Sequence, residues 1–224
     1  METTLHQQLK AHYQQHSSST EAQLGSYRID VRLPDRLIEI QCSSLAALRD
    51  KVNELCQEHP VTVVKPIIAR KQITTLKWNR VVGTTHSRHI GSWLDLFDEL
   101  VHFTRTFPQP NLTLEILLID IEERRRPGRK RTRKGYRVDD RSLRQIHGIR
   151  TLRLATDLYR LLPAELPDEF TTADLAAALG IHRNSAQKIA YCLRECGAAE
   201  VVGKQRNAIL YRPLTRQEEL AKAA

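Results

Sequence analysis

Leu5, Leu9 and Tyr13 recur at helical spacing and predict a helix over residues 4–16. The polar stretch HSSSTEAQLGS follows as a connector. Two runs, YRIDVRL and RLIEIQC, then alternate apolar and polar residues on either side of Pro34-Asp35, which predicts a β-hairpin. Ser43 or Ser44 is placed to cap a helix through LAALRDKVNELCQEH, with Leu45, Leu48, Val52 and Leu55 as its apolar stripe. The β-branched run VTVVKPIIARKQI predicts a strand ending near Lys65-Pro66. SWLDLFDELVHFTRTF has the pattern of an amphipathic helix beginning near Ser92, and LTLEILLIDI that of another strand. The order helix, hairpin, helix, strand, helix, strand predicts an α/β layered domain over residues 1–121.

The pattern then changes. EERRRPGRKRTRKGYR has almost no apolar content and cannot form a core by itself. Residues 122–148 are therefore expected to be a basic linker or an exposed hairpin extension. Its cations are nearly all of one sign, so Arg124, Arg125, Arg126, Arg129, Lys130, Arg131, Arg133 and Lys134 are candidates for phosphate contact, driven by counterion release. A merely solvated charge run is the alternative.

From residue 149 to 224 the organisation differs again. TLRLATDLYRLLP predicts a helix, FTTADLAAALG a Thr-capped helix ending at Gly180, and HRNSAQKIAYCLRECGA a helix starting near Arg183-Asn184. In the last of these Ala186, Ile189, Ala190 and Leu193 face inward. AEVVGKQRNAILYRP then gives two short strands around a polar turn. Helices followed by a β-hairpin form the pattern of a winged helix-turn-helix. Its outward residues would be His182, Arg183, Asn184, Gln187 and Lys188, with Lys204, Gln205 and Arg206 on the wing. A winged helix used for protein contacts or dimerisation is the alternative to one that binds DNA.

Composition sharpens this reading. The 224 residues carry a formal net charge of +9, with 41% hydrophobic and 27% charged residues, as expected of a soluble globular chain. The basic balance points to a polyanionic partner, most often nucleic acid. The N-terminal stretch lacks the basic and apolar regions of a signal peptide, and no apolar run suffices for a membrane span, so a cytoplasmic location without a membrane partner is expected. Cys42, Cys56, Cys192 and Cys196 form no C-x-x-C pair, and buried free thiols are the expectation. Gly-rich phosphate loops, G-x-S-x-G and H-E-x-x-H are absent.

The chemistry concentrates in the first hairpin. Ile29, Val31 and Leu33 share one face of its first strand, and Arg28, Asp30 and Arg32 the other. In the second strand Ile38, Ile40 and Cys42 face the core, and Leu37, Glu39 and Gln41 the opposite side. A turn symmetric about Pro34-Asp35 sets Asp30 across from Glu39, with Cβ atoms about 4.5 to 5.5 Å apart. Two opposed carboxylates need a cation. Arg28 and Arg32 could supply it, or a divalent ion held by Asp30, Glu39 and the Ile40 carbonyl.

Asp30 followed by Glu39-Ile40-Gln41, on a hairpin that leads into a helix, resembles the PD-(D/E)XK nuclease superfamily in an E-x-Q variant. The wording EIQCS also resembles competence CoiA-like nucleases. LHQQLKAHY, YRIDVRLPDRLIEIQCSS, LAALRDKV, HPVTVVKPI, FTTADLAAALGI and AQKIAYCLR together look like a largely uncharacterised bacterial family that joins such a domain to a C-terminal winged helix. The resemblance implies a restriction-endonuclease-like mixed sheet flanked by helices, and Mg2+- or Mn2+-dependent cleavage of DNA. Asp30, Glu39 and the Ile40 carbonyl would hold the metal. Gln41 stands where the superfamily usually has Lys and can hydrogen-bond the attacking water without carrying charge. Lys65 or Lys71 could supply the missing cation. Glu2 would be the acidic residue contributed by the first helix, with His6 and Lys10 following on its face. Double-stranded DNA is the expected partner, with a homodimer left open. A degenerate nuclease fold that binds DNA or regulates without cutting it is the rival expectation.

Overall fold

A computed structural model describes residues 3–14, 20–128, 135–163 and 165–223. In chain order its elements are α1 (Thr4–Gln14), β1 (Thr20–Leu24), β2 (Tyr27–Arg32), β3 (Leu37–Ile40), α2 (Arg49–Leu55), β4 (Val61–Lys77), β5 (Arg80–His86), α3 (Leu96–Leu100), β6 (Leu112–Pro127), β7 (Tyr136–Leu152), α4 (Thr172–Leu179), α5 (Arg183–Glu195), β8 (Ala199–Gln205), β9 (Ala208–Pro213) and α6 (Arg216–Ala223). The class is α/β, with a mixed sheet flanked by helices, as the patterning predicts. The strands of the large sheet lie in the order β1-β2-β3-β4-β6-β7, and β5 pairs with β4 off that path.

The chain divides into two compact units. The first gathers Met1–Cys42, Val64–Ser92 and Ile116–Ile149, and the second gathers Ser43–Val63, Trp93–Glu115 and Arg150–Ala224. This differs from the expected contiguous domains 1–121, 122–148 and 149–224. The physical reason is strand length: β4 and β6 have 17 and 16 residues, and each contributes to both units.

In the first unit, Leu5 and Leu9 of α1 pack with Val31, Ile38, Ile40, Val64, Leu117, Ile119 and Ile121. Burying each such side chain stabilises the fold by about 1.5–3 kcal/mol, so the i, i+4 spacing in α1 is enough to seat the helix on the sheet. β2 alternates as expected, with Ile29 and Val31 buried and Arg28 and Arg32 exposed. β3 is buried on both faces, which the alternating pattern does not predict. Two further strands depart from expectation. β4 continues through Lys65-Pro66 to Lys77. The basic stretch is not a bare linker, because Glu122 to Pro127 end β6 and Tyr136 to Leu152 form β7, its neighbour in the sheet.

That basic strand end is possible because its charges are internally compensated. Glu123, whose side chain is 2% exposed, meets Arg125 at 2.6 Å, Arg141 at 2.9 Å and Lys71 at 3.7 Å. Glu122 accepts from Thr74 Oγ1 at 2.7 Å and pairs with Arg144 at 3.1 Å. Burial works against the Glu123 charge, and the Arg125 and Arg141 hydrogen bonds overcome it, holding the carboxyl below its ordinary range.

In the second unit, Leu96, Phe97 and Leu100 of α3 are buried, and Cys192 Sγ of α5 donates to Phe97 O at 3.7 Å. The helices expected from Ser44 and from Ser92 are each shorter, opening with a 3-10 turn at Leu45–Leu48 and Trp93–Asp95 respectively. The helix expected near residue 155 is a 3-10 segment, Ala155–Leu161, whose first N–H groups donate to Glu219 at 2.6 and 2.9 Å. α4 matches its sequence signals. Thr171 Oγ1 accepts from Ala173 N and Asp174 N, Asp174 caps Thr171 N in return, and Gly180 ends the helix at φ 63°. α5 follows after a short turn and buries Ala186, Ile189, Ala190 and Leu193. β8 and β9 close the unit as an antiparallel pair.

Candidate functional site

The hairpin of β2 and β3 sets Val31 opposite Ile38 and Arg32 opposite Leu37. Among the described residues this pairing ends there, one step before Asp30 and Glu39. Instead of a backbone pairing there, Asp30 Oδ2 accepts from the Ile40 N–H at 2.9 Å. β3 is held on its other side by Gln41 N, which donates to Val64 O of β4 at 2.9 Å.

Two groups of α1, His6 and Lys10, lie beside Asp30. Lys10 Nζ lies 3.6 Å from Asp30 Oδ1. His6 Nε2 lies 3.2 Å from Asp30 Oδ2 and 3.1 Å from the Ile40 carbonyl oxygen. Both of these partners are acceptors, so Nε2 carries the proton and donates. Burial disfavours the Asp30 charge. The His6 hydrogen bond, the Ile40 N–H and the His6 and Lys10 charges outweigh it, so the carboxyl sits below its ordinary value.

The surroundings are unusually rich in buried charge. Glu39 and Lys65 are each 4% exposed, and Lys10 is 7% exposed. Cys42, next along from Gln41, has its thiol pushed up to about 11 by burial, against the pull of Lys65, with Asp30 pushing it further. Lys65 and Asp30 thus act on one thiol, which stays protonated at neutral pH and is no nucleophile. Lys71 pairs with Glu123 at 3.7 Å. Glu2 falls outside the described residues.

A carboxylate oxygen of Asp30 and the Ile40 carbonyl oxygen are donors of the kind a hard divalent ion accepts, and Glu39, one residue before Ile40 on β3, is buried. His6 Nε2 marks the point on which these two oxygens converge. Among the described residues no group of three or more His, Cys, Asp or Glu side chains could hold a metal, and the expected set contains only two such side chains.

The proposed phosphate contacts separate into two kinds. Arg124, Arg125 and Arg126 are engaged with Glu122, Glu123 and Asp139, and Arg125 also lies over the Tyr136 ring at 3.9 Å. Arg129, Lys130, Arg131, Arg133 and Lys134 lie outside the described residues. In the second unit Arg183, Asn184 and Gln187 are exposed at the start of α5, as are Lys204, Gln205 and Arg206 around the β8–β9 turn. Lys188 is exposed too, with Asp98 of α3 2.7 Å away. Sequence reasoning overlooked Trp78, at the turn between β4 and β5. The signal was KWNR between β-branched runs, with Asn in a position that favours tight turns.

Among the described residues no helix is long and apolar enough to cross a membrane. A family model described as a domain of unknown function (DUF8091) matches residues 3–153. The chain is also similar to an uncharacterized protein of Treponema pallidum (strain Nichols), 31% identical over 219 residues that cover 94% of this chain and 85% of the relative. No solved structure matches it.

Proposed function

The chain belongs to the DUF8091 family, and for it we propose metal-dependent hydrolysis of DNA phosphodiester bonds at the β2–β3 hairpin, in a restriction-endonuclease-like fold joined to a winged helix. The observation that carries the reading is the convergence of the Asp30 carboxylate and the Ile40 carbonyl on one point, with buried Glu39 one residue before Ile40 on β3. Asp30, Glu39 and the Ile40 carbonyl would hold Mg2+ or Mn2+. When bound, such an ion supplies Lewis-acid polarisation of a phosphate and acidifies its water. Gln41 would orient the attacking water by hydrogen bonding, and buried Lys65 would contribute the positive charge that Gln41 lacks. α4, α5 and the β8–β9 pair would grip the duplex as a winged helix, through Arg183, Asn184, Gln187, Lys204 and Arg206. A cytoplasmic location follows from such a substrate.

A second reading has its own observation. His6 and Lys10 already compensate Asp30, as they would in a fold that retains the hairpin and binds DNA without cutting it. Plasmid cleavage separates the two. Under the first reading, cutting requires Mg2+ or Mn2+ and falls at least about 100-fold in Asp30→Ala. Cleavage that persists in this variant sinks the site. Tight binding with no cutting under either metal favours the second reading.

A further inference from the structure

β4 and β5 form a hairpin that turns through Trp78 and Asn79, with Lys77 paired to Arg80. Both turn residues have positive φ, 51° and 63°. That geometry suits the right-handed twist of a two-residue hairpin and favours Asn or Gly, but it strains a bulky side chain. Trp78 adopts it all the same, and it is 88% exposed. Neither the turn nor the core gains from an indole there. The strand behind it is exposed throughout, with Val81 and Val82 open to solvent.

The tip is nevertheless anchored. Arg126 Nη1 donates to Asn79 Oδ1 at 2.7 Å, and Arg126 Nε lies 2.9 Å from Asp139. Against the tip lies a groove of about 640 Å³ lined by Leu76, Lys77, Trp78, Arg126, Pro127 and Arg137. Its described lining is one aromatic face, a small apolar floor and three cations, of which Arg126 is already paired with Asp139. A flat π-system flanked by cations matches one chemistry closely: an unpaired nucleobase stacked on the indole, with its phosphates against Lys77 and Arg137. Among the described residues that line it there is no carboxylate, which disfavours a basic peptide, and an apolar peptide would leave Lys77 and Arg137 without a counterpart in the groove.

We propose that the β4–β5 tip is a stacking platform for an unpaired base of DNA, so that the preferred substrate contains a single-stranded segment, a fork or a frayed end. This deepens the nuclease reading and rests on it. Binding would order the indole, which the turn already presents outward, and its sequence tolerance follows because every base offers a π-face.

The test uses the full chain without divalent ion, a labelled 30-nucleotide oligo-dT strand, and a duplex of the same length. Trp78→Ala should weaken single-strand binding roughly 5- to 150-fold, leave duplex binding nearly unchanged, and abolish the quench of tryptophan emission on binding. Trp78→Phe should restore part of the affinity. Because Trp78 is exposed, both variants should melt with the wild type, and Arg137→Gln gives an independent probe of the groove. Equal single-strand affinity in wild type and Trp78→Ala overturns the proposal. If the wild type still cuts DNA in that case, the nuclease reading stands without it. If the wild type binds no nucleic acid, both fall.

Discussion

His6 Nε2 stands 3.2 Å from Asp30 Oδ2 and holds it by a hydrogen bond that also reaches the Ile40 carbonyl. An imidazole N–H and a divalent ion compete for the same oxygens. His6→Ala should therefore bind Mn2+ more tightly than wild type, by about 10-fold if one charge-assisted hydrogen bond is released. Calorimetric titration with Mn2+ checks this. An unchanged affinity would mean that the ion does not use the Asp30–Ile40 pair.

Asp30 also gives a pH signature. Its carboxyl is held below its ordinary value of 3.8, so its charged form stabilises the folded state. That contribution is complete above pH 3.8 and is lost as pH falls through the lower folded value. The stability gap between wild type and Asp30→Asn should narrow on acidification below about pH 4. Urea unfolding across an acid pH series measures it, and a gap that widens in acid would contradict the assignment.

Glu123 is expected to matter more for stability than any residue of the candidate site. Glu123→Gln leaves Arg125, Arg141 and Lys71 around a neutral amide in a buried place, and removing one partner of a buried ion pair costs about 3–5 kcal/mol. Chemical denaturation should show the loss. A change under about 1 kcal/mol would mean that water reaches the cluster and screens it.

The two classes of arginine should separate in DNA binding. Arg183→Gln and Arg206→Gln, at exposed positions, should each lower the salt slope of binding by about 0.9 and leave stability intact. Arg125→Gln should lower stability and leave the slope alone, since its guanidinium is committed to Glu123. Fluorescence anisotropy over a range of salt concentrations, paired with thermal melts, distinguishes them. The opposite assignment would place phosphate at β6.

Local features were legible in the sequence. Symmetry about Pro34-Asp35 gave the hairpin register, Thr171 and Gly180 gave both ends of α4, and Ala186 to Leu193 gave the buried face of α5. What was not legible depends on distant partners. The proximity of His6 to Asp30 spans 24 residues, and with that of Lys10 it follows from packing of Leu5 and Leu9 on the sheet. Composition made residues 122–127 look like a linker, whereas strand formation there rests on Lys71, Thr74, Asp139, Arg141 and Arg144 reaching Glu122, Glu123 and Arg126. Pro66 suggested the end of a strand, but β4 runs on past it to Lys77.

The long strands β4 and β6 carry a consequence for synthesis. Each compact unit is assembled from three separated stretches of chain, and the last stretch of each begins beyond residue 115. Neither unit can close while the ribosome still holds its final segment, so the first waits for Ile116–Ile149 and the second for the stretch that begins at Arg150. Fragments that stop at residue 121 or start at residue 149 would leave both units short of strands or helices. Emergence of an N-terminal half is therefore not enough for either unit to reach the native state.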